Sequence, residues 1–482
     1  RDVCAHPPEP QRAAAPGPLD EKTLEEHGLE FVALNVVFRH GARSVMHSPY
    51  DCFPKQFADS IISDCGVHTG NMLDWLANET AKRKEVAGRP PLVKKYHGDY
   101  GTHGEASASS CGPAQLLDEA VDQFEALGGA LRGAYFGRLS EEPSLDSTWL
   151  YSTDTDRTIA STYLLQHFLF SGSKAGSALR TAELQTRSQD SDAWARRVPC
   201  PAAEKAVEEA SEQAGTPDDF LGPLKKRWLA KFGKAFSQDC HDPVLVANCS
   251  GKLPADALSG EDSLLAEVVV ANFLHAKAKY LDAKEAWTSL VGPALLELQD
   301  FARRQAEGKE RKALALWATH DTVILPMLVS LGVWDGVWPQ YTEAILLEVY
   351  RENANGGKAW VRLLRRGEPL QVPSCHPLGP GGLCDLEHLL PKEVARLRDL
   401  AVREQLCTGG GDGVASPSSV AMGVAEVPSK DSMSLMPSVG LLAGLLMTIV
   451  AAFGGGAVVG RRFGRDDRRR ADDSAFAPLL QH

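Results

Sequence analysis

Between Val36 and Ser44 the chain reads Val-Val-Phe-Arg-His-Gly-Ala-Arg-Ser, which sets His40 between Arg39 and Arg43. Guanidinium groups stay charged and present forked donors that match phosphate oxygens, so this spacing suits an imidazole nucleophile facing a held phosphate. A second pair, His320-Asp321, follows the apolar run Ala313 to Thr319 and precedes Thr322 to Leu331, which reads as a helix despite Pro326. The helix amides and dipole would favour an anion there, and Asp321 could give a departing alkoxide its proton. The third site is Arg157, in Ser152-Thr-Asp-Thr-Asp-Arg-Thr158, between strand-like Thr148–Tyr151 and the apolar, helix-like Ile159–Phe170. Singly, each could be a surface turn, a helix cap or an ion pair. Three strand-end sites of complementary phosphate chemistry argue for one pocket.

The elements that must position these groups are short apolar strands. Leu29 to Phe38, rich in Phe, Val and Leu, has the length of a buried strand, so the Arg-His-Gly turn falls at its carboxyl end. In open α/β sheets that edge is where ligands bind.

On Arg39-His40-Gly41-Ala42-Arg43-Ser44, Ser152 to Thr158 and His320-Asp321, the chain resembles the histidine acid phosphatases, branch 2 of the histidine phosphatase superfamily. Cys111-Gly-Pro-Ala-Gln-Leu and the stretch Leu127 to Tyr135 are similar to that family's Gly-Gln-Leu-Thr segment and following helix. The likeness extends to Cys407, and the cysteine-rich middle, Cys200-Pro201 and Cys240 to Cys249, is similar to the 2-phosphoxylose phosphatase subgroup. The resemblance implies an α/β three-layer sandwich around a mainly parallel sheet, with an inserted, mostly helical cap over about residues 171–284 that forms one pocket wall. It also implies a Cys375–Cys384 bridge and is compatible with a homodimer. Ala42 and Val45 depart from the family's usual acid and proline, but neither supplies the nucleophile or a phosphate donor. Met46 to Ser110 is a long insertion beside the turn.

The implied mechanism also follows from the residues. His40 attacks phosphorus, Arg39, Arg43, Arg157 and His320 spread the charge on the phosphate oxygens, and Asp321 protonates the leaving alcohol and then activates water. A carboxyl titrating near pH ~4 beside an imidazole near ~6.5 predicts an acidic optimum. No cofactor is expected, and no metal: there is no His-Glu-x-x-His or paired Cys-x-x-Cys spacing.

The 482 residues, 43% hydrophobic, suffice for one large folded region, and the net charge of −12 excludes a nucleic-acid partner. The ten cysteines are an even number that fits an oxidising compartment, as do the sequons Asn78-Glu-Thr80 and Asn248-Cys-Ser250. Arg1, with no methionine before it, fits a processed chain, and Pro- and Ala-rich residues 1–28 read as a surface arm. In the cap, Lys225 and Trp228 are candidate substrate contacts, although tryptophan more often fills a core.

Past the phosphatase-like region, residues 29–407, residues 408–434 read as a flexible stalk. Leu435 to Gly460 carries no charge over 26 residues, which as a helix spans about 39 Å at ~1.5 Å per residue, enough to cross a bilayer. The arginines from Arg461 to Arg470 place residues 461–482 in the cytosol, giving a type I membrane protein with a lumenal or extracellular catalytic region. A GPI signal is the closest rival, but such signals end in the hydrophobic tail. Asp472-Asp473 before Leu479-Leu480 resembles an acidic dileucine signal for endosomes or lysosomes. The expected substrate is a small phosphomonoester. Two alternatives stay open: a phytase, inositol-polyphosphate or phosphosugar phosphatase, for which Lys82, Arg83, Lys84, Arg89, Lys94 and Lys95 could supply cations unless they are simply a solvated face, and a non-catalytic surface binding protein on the same scaffold.

Overall fold

In a computed structural model the described residues are 16–62, 114–139, 143–144, 147–170, 184–187, 192–195, 199–213, 218–249, 268, 278–353 and 357–408. The chain divides into two units, Arg1–Val414 and Ala415–His482, and every described residue belongs to the first. The strands are β1 (Leu29–Arg39), β2 (Thr148–Ser152), β3 (Leu184–Gln185), β4 (Leu314–Thr319), β5 (Ala344–Glu352), β6 (Ala359–Arg365), β7 (Glu368–Pro369) and β8 (Cys384–Asp385). The principal helices are α1 (Glu21–His27), α2 (Lys55–Ile62), α3 (Glu119–Tyr135), α4 (Asp156–Phe170), α5 (Pro201–Gln213), α6 (Asp218–Phe232) and α7 (His241–Cys249). They continue with α8 (Lys284–Ala306), α9 (Asp321–Ser330), α10 (Lys392–Ala395) and α11 (Leu400–Thr408).

One sheet runs β3-β2-β4-β1-β5-β6-β7, with β8 paired to β6. Its β3-β2-β4-β1 half is parallel, as expected, and Arg39 lies level with Thr319 and Ser152 with Ala318, so the three site-bearing strands end together. The other half is antiparallel, which corrects the expectation of a mainly parallel sheet. The physical reason is length: only residues 353–358 join β5 to β6, and a parallel return needs a crossover of a dozen residues or more.

Alternation along β1 and β4 feeds two cores. Leu34, Val36, Phe38, Leu314, Leu316 and Ala318 pack with Phe124 of α3 and Leu164 of α4 on one face. Ala33, Val37, Ala315 and Trp317 pack with Val291 and Phe301 of α8 and with Val323 and Met327 of α9 on the other. Helices on both faces of a sheet make the three-layer α/β arrangement.

Helices α5, α6 and α7 fall in the stretch expected to be a cap. Leu224, Trp228, Phe236 and Val244 from this stretch form a core with Val45, Phe53 and Ile61, closed by the Cys52–Cys240 disulfide. Cys200–Cys407 ties the start of α5 to α11, and Cys375–Cys384 is bonded as the family resemblance implied. Within the segment read as an arm, residues 16–28 are packed down: the Leu19 N–H donates to Tyr350 Oη at 3.0 Å and Arg138 Nη2 donates to the Leu19 carbonyl at 2.9 Å. Asp20 caps α1 by accepting from the Thr23 N–H, and Gly28 closes it in the left-handed region at φ 61°.

The stalk beyond Thr408, the span Leu435–Gly460 and the tail lie outside the described residues, as do residues 1–15 and 63–113 with Asn78 and the basic residues Lys82 to Lys95. Among the described residues no helix is long and apolar enough to cross a membrane.

Candidate active site

The Arg39–Arg43 turn is fixed from three sides. The His40 N–H donates to the Thr319 carbonyl of β4 at 3.2 Å, and the His40 carbonyl accepts from the Thr342 N–H at 3.2 Å. The Gly41 N–H donates to Ser161 Oγ of α4 at 3.1 Å, and the Ala42 N–H donates to Gln123 Oε1 of α3 at 2.8 Å. Gly41 is required by proximity: a Cβ there would lie 2.5 Å from the Ala120 Cβ and 3.0 Å from a ring carbon of Phe124.

His40 is almost fully buried, with Nδ1 2.9 Å from the Gly41 carbonyl oxygen. A carbonyl only accepts, so Nδ1 carries the proton and Nε2 keeps its lone pair. Burial, then the electrostatic influence of Arg157, Arg39, His320 and Arg43, holds the imidazole well below its ordinary pKa, so it stays neutral into acidic solution.

The arginines are pre-oriented by protein acceptors. Arg39 Nη1 donates to the Pro339 carbonyl and Nη2 to Asp321 Oδ2, each at 2.8 Å, while its guanidinium lies 4.2 Å over the Tyr341 ring. Arg43 Nη1 donates to the Ser44 carbonyl at 2.9 Å and Nη2 to Asp242 Oδ1 at 2.8 Å. Both Nε–H groups are buried without a hydrogen-bond partner among the described residues, as expected of donors reserved for an incoming acceptor. Arg157 Nη2 lies 3.3 Å from His320 Nδ1, so that nitrogen accepts and His320 Nε2–H donates to Thr153 Oγ1 at 3.0 Å. The His40 and His320 rings stand edge to face, 5.5 Å apart.

Asp321 opens α9. Its Oδ1 accepts from the Thr322 N–H at 2.9 Å, and its Oδ2 accepts from Trp338 Nε1 at 2.8 Å as well as from Arg39. Burial alone would raise its pKa, but Arg39, Arg43, the Trp338 N–H and His320 outweigh it and hold the carboxyl below its ordinary value. The expectation of an unperturbed carboxyl is corrected: with no anion among the arginines, Asp321 is a carboxylate.

All six residues singled out in the sequence therefore meet: Arg39 with Asp321, His40 with His320, His320 with Arg157, and Arg43 through its charge on His40 and Asp321. Of the cap candidates, Trp228 is core, its Nε1 donating to the Cys52 carbonyl at 3.1 Å, and Lys225 is exposed. Sequence reasoning missed Asp242, Trp338, Tyr341, Thr153, Ser161 and Gln123. The aromatic cluster Trp334 to Tyr341 directly after the His-Asp helix was the available signal for two of them; Asp242, in a cysteine-rich run, had none.

No family model matches the chain. The chain is 26% identical over 402 residues to lysophosphatidic acid phosphatase type 6 of Bos taurus, covering 78% of this chain and 86% of that protein. It is 27% identical over 309 residues to human testicular acid phosphatase, covering 56% of this chain and 69% of the relative. In fold it is similar to the phytase of Citrobacter braakii, with a TM-score of 0.50 at 12% identity over 76% of this chain and 98% of that one.

Proposed function

We propose that this relative of acid phosphatases, which shares its fold with a phytase, works as a histidine acid phosphatase: it hydrolyses phosphate monoesters at acidic pH through a phosphohistidine. The observation that carries this reading is a buried neutral imidazole, its Nδ1 proton fixed on a carbonyl and its Nε2 unprotonated, ringed by three arginines and an aspartate.

His40 Nε2 attacks phosphorus in line with the ester oxygen. Arg39 and Arg43 offer the Nε–H groups that have no hydrogen-bond partner among the described residues, and Arg157 and His320 complete the set that spreads charge over the phosphate oxygens. When Arg157 exchanges its contact with His320 for the phosphate, His320 carries its proton on Nδ1 and donates it to a phosphate oxygen, its Nε2 then accepting from Thr153 Oγ1–H. Asp321 becomes an acid only in the complex, because phosphate charge offsets the pull of Arg39 and Arg43 that otherwise keeps it ionised. It then protonates the leaving alcohol, and as a carboxylate it takes a proton from the water that hydrolyses the phosphohistidine. The acidic optimum thus belongs to the enzyme–substrate complex. No cofactor enters the scheme.

The uncharged run Leu435–Gly460 followed by arginines supports anchoring as a type I membrane protein, with the phosphatase region lumenal or extracellular. The three described disulfides fit that side of the membrane.

The test is phosphate release from an aryl phosphate by the full chain in mild detergent, across acidic to neutral pH, with rapid-quench trapping of phosphoenzyme. Wild type should peak below neutrality and trap a phosphohistidine. His40→Ala should lose at least about a thousandfold in kcat and trap nothing. Activity undiminished in His40→Ala would overturn the reading.

A further inference from the structure

Asp242 is an acid that the inserted helices bring to the phosphate-facing arginines. Its Oδ1 accepts from Arg43 Nη2 at 2.8 Å, and its Oδ2 accepts from the backbone N–H groups of Met46 at 2.5 Å and His47 at 3.4 Å. The carboxylate thus fixes one guanidinium and the chain just beyond it. Cys240, two residues earlier, is bonded to Cys52, and Val244 packs in one core with Val45 and Phe53, so the acid is tied to the turn it serves. The side chains of Arg43 and Asp242 are 8% and 17% exposed, which leaves little solvent screening between them.

The charged and titratable groups acting on His40, Arg43 and Asp321 come from every wall. They are Arg39 and Arg43 at the end of β1, Arg157 on α4, His320 and Asp321 at the β4–α9 junction, Tyr341 in the loop after α9, and Asp242 on α7. Counted over Arg39, Arg43, Arg157, Asp242 and Asp321, three basic side chains meet two acidic ones, about one net positive charge, while His320 Nδ1 accepts from Arg157. A phosphate monoester loses its second proton near pH ~6. A net charge of about +1 balances the monoanion, whereas the dianion would leave an uncompensated negative charge in a buried place.

We propose that Asp242 is a positioning and specificity-determining residue: by cancelling one arginine charge, it makes the pocket take up a phosphate monoester together with one proton. That proton, resting on Asp321, is the one passed to the leaving alcohol. The step balances: the His40 Nε2 lone pair forms the N–P bond, the P–O ester pair leaves with the alcohol oxygen, and that oxygen takes the Asp321 proton, restoring the carboxylate. Without the Asp242 charge the pocket accommodates the dianion unaccompanied, and Asp321 stays ionised beside Arg39, giving tighter binding of an unreactive complex. This inference rests on the phosphatase reading and deepens it.

The experiment is calorimetric titration of the full chain with inorganic phosphate at a series of pH values from about 5 to 8, spanning loss of the phosphate's second proton. Wild type should bind the monoanion, its affinity falling about tenfold per pH unit above that point. Asp242→Asn should bind phosphate at about pH 8 at least about tenfold more tightly than wild type, with the fall flattened, and the basic limb of its kcat profile should move about one unit toward acid. Asp242→Glu, which keeps the charge, should keep the wild-type fall. Weaker binding by Asp242→Asn with an unchanged fall would reduce the residue to orienting Arg43 and overturn the proposal. Should Asp242→Asn fail to fold, wild-type affinity that stays level through about pH 8 overturns it alone. Phosphate bound with this pH dependence, but esters left unhydrolysed, would support the pocket's charge balance while overturning the phosphatase reading; no phosphate binding at all would overturn both.

Discussion

His40 has one nitrogen to react with and one to be held by, and the division is made by a neighbouring carbonyl rather than by a carboxylate partner. Asp321 is managed by Arg39 and Trp338, and the indole is the cleaner handle because it carries no charge. Trp338→Phe keeps a ring facing Tyr280 but removes a donor that favours the ionised carboxyl. Losing that donor raises the pKa of Asp321, so the acid form survives to higher pH and the basic limb of kcat should move up by up to about one unit. This is opposite in sign to Asp242→Asn, and a kcat–pH series on both variants checks it; a limb that does not move would show that Trp338 merely packs. At this scale the six site residues were legible because histidine and arginine at a strand end have few other uses. Their partners were not: a tryptophan, a tyrosine and an aspartate distant in sequence become relevant only through contacts.

The element that presents Trp338, the Pro339 carbonyl and Tyr341 is the loop from Leu331 to Glu343, and it is anchored from the antiparallel half of the sheet. Glu343 is buried and accepts from Arg365 Nε at 2.5 Å, from Arg366 Nη2 at 2.7 Å and from the Gln340 N–H at 3.1 Å. Asp335 accepts from Arg365 Nη1 at 2.7 Å. Thr342 sits at φ 56°, unusual for a β-branched residue, and uses its N–H on the His40 carbonyl. Glu343→Gln leaves the buried Arg365 short of its counter-charge, and should cost about 3 kcal/mol in denaturant unfolding while lowering kcat more than KM. Wild-type stability in that variant would sink the assignment. The three strand–turn–helix modules were readable from apolar runs that end in chemistry. This loop was not, because Arg365 lies on β6 and nothing local in Gly332 to Gln340 announces the pairing. The antiparallel return of β5 and β6 was equally hidden, since the resemblance that implied a parallel sheet was carried by residues of the parallel half.

Across the whole molecule, covalent links join segments that sequence keeps far apart. Cys52–Cys240 spans 188 residues and Cys200–Cys407 spans 207, whereas Cys375–Cys384, the pair implied by resemblance, spans nine. Pairing of the distant cysteines cannot be read from spacing because it depends on how the inserted helices return to the sheet. Removing Cys52–Cys240 by a double alanine substitution should lower stability by about 5 kcal/mol on the loop-entropy estimate, measurable by calorimetry. It should also loosen Asp242 from Arg43, tightening phosphate binding at about pH 8; unchanged binding there would mean the apolar core around Trp228 suffices to seat α7. The Cys200–Cys407 bond has a mechanical consequence. Cys407 is the penultimate residue of α11, and the bond returns that point of the chain to the start of α5. Tension applied beyond Thr408, or a carboxypeptidase trimming toward it, meets a covalent stop before it reaches the sheet, so the chain's exit from this unit is also its brake.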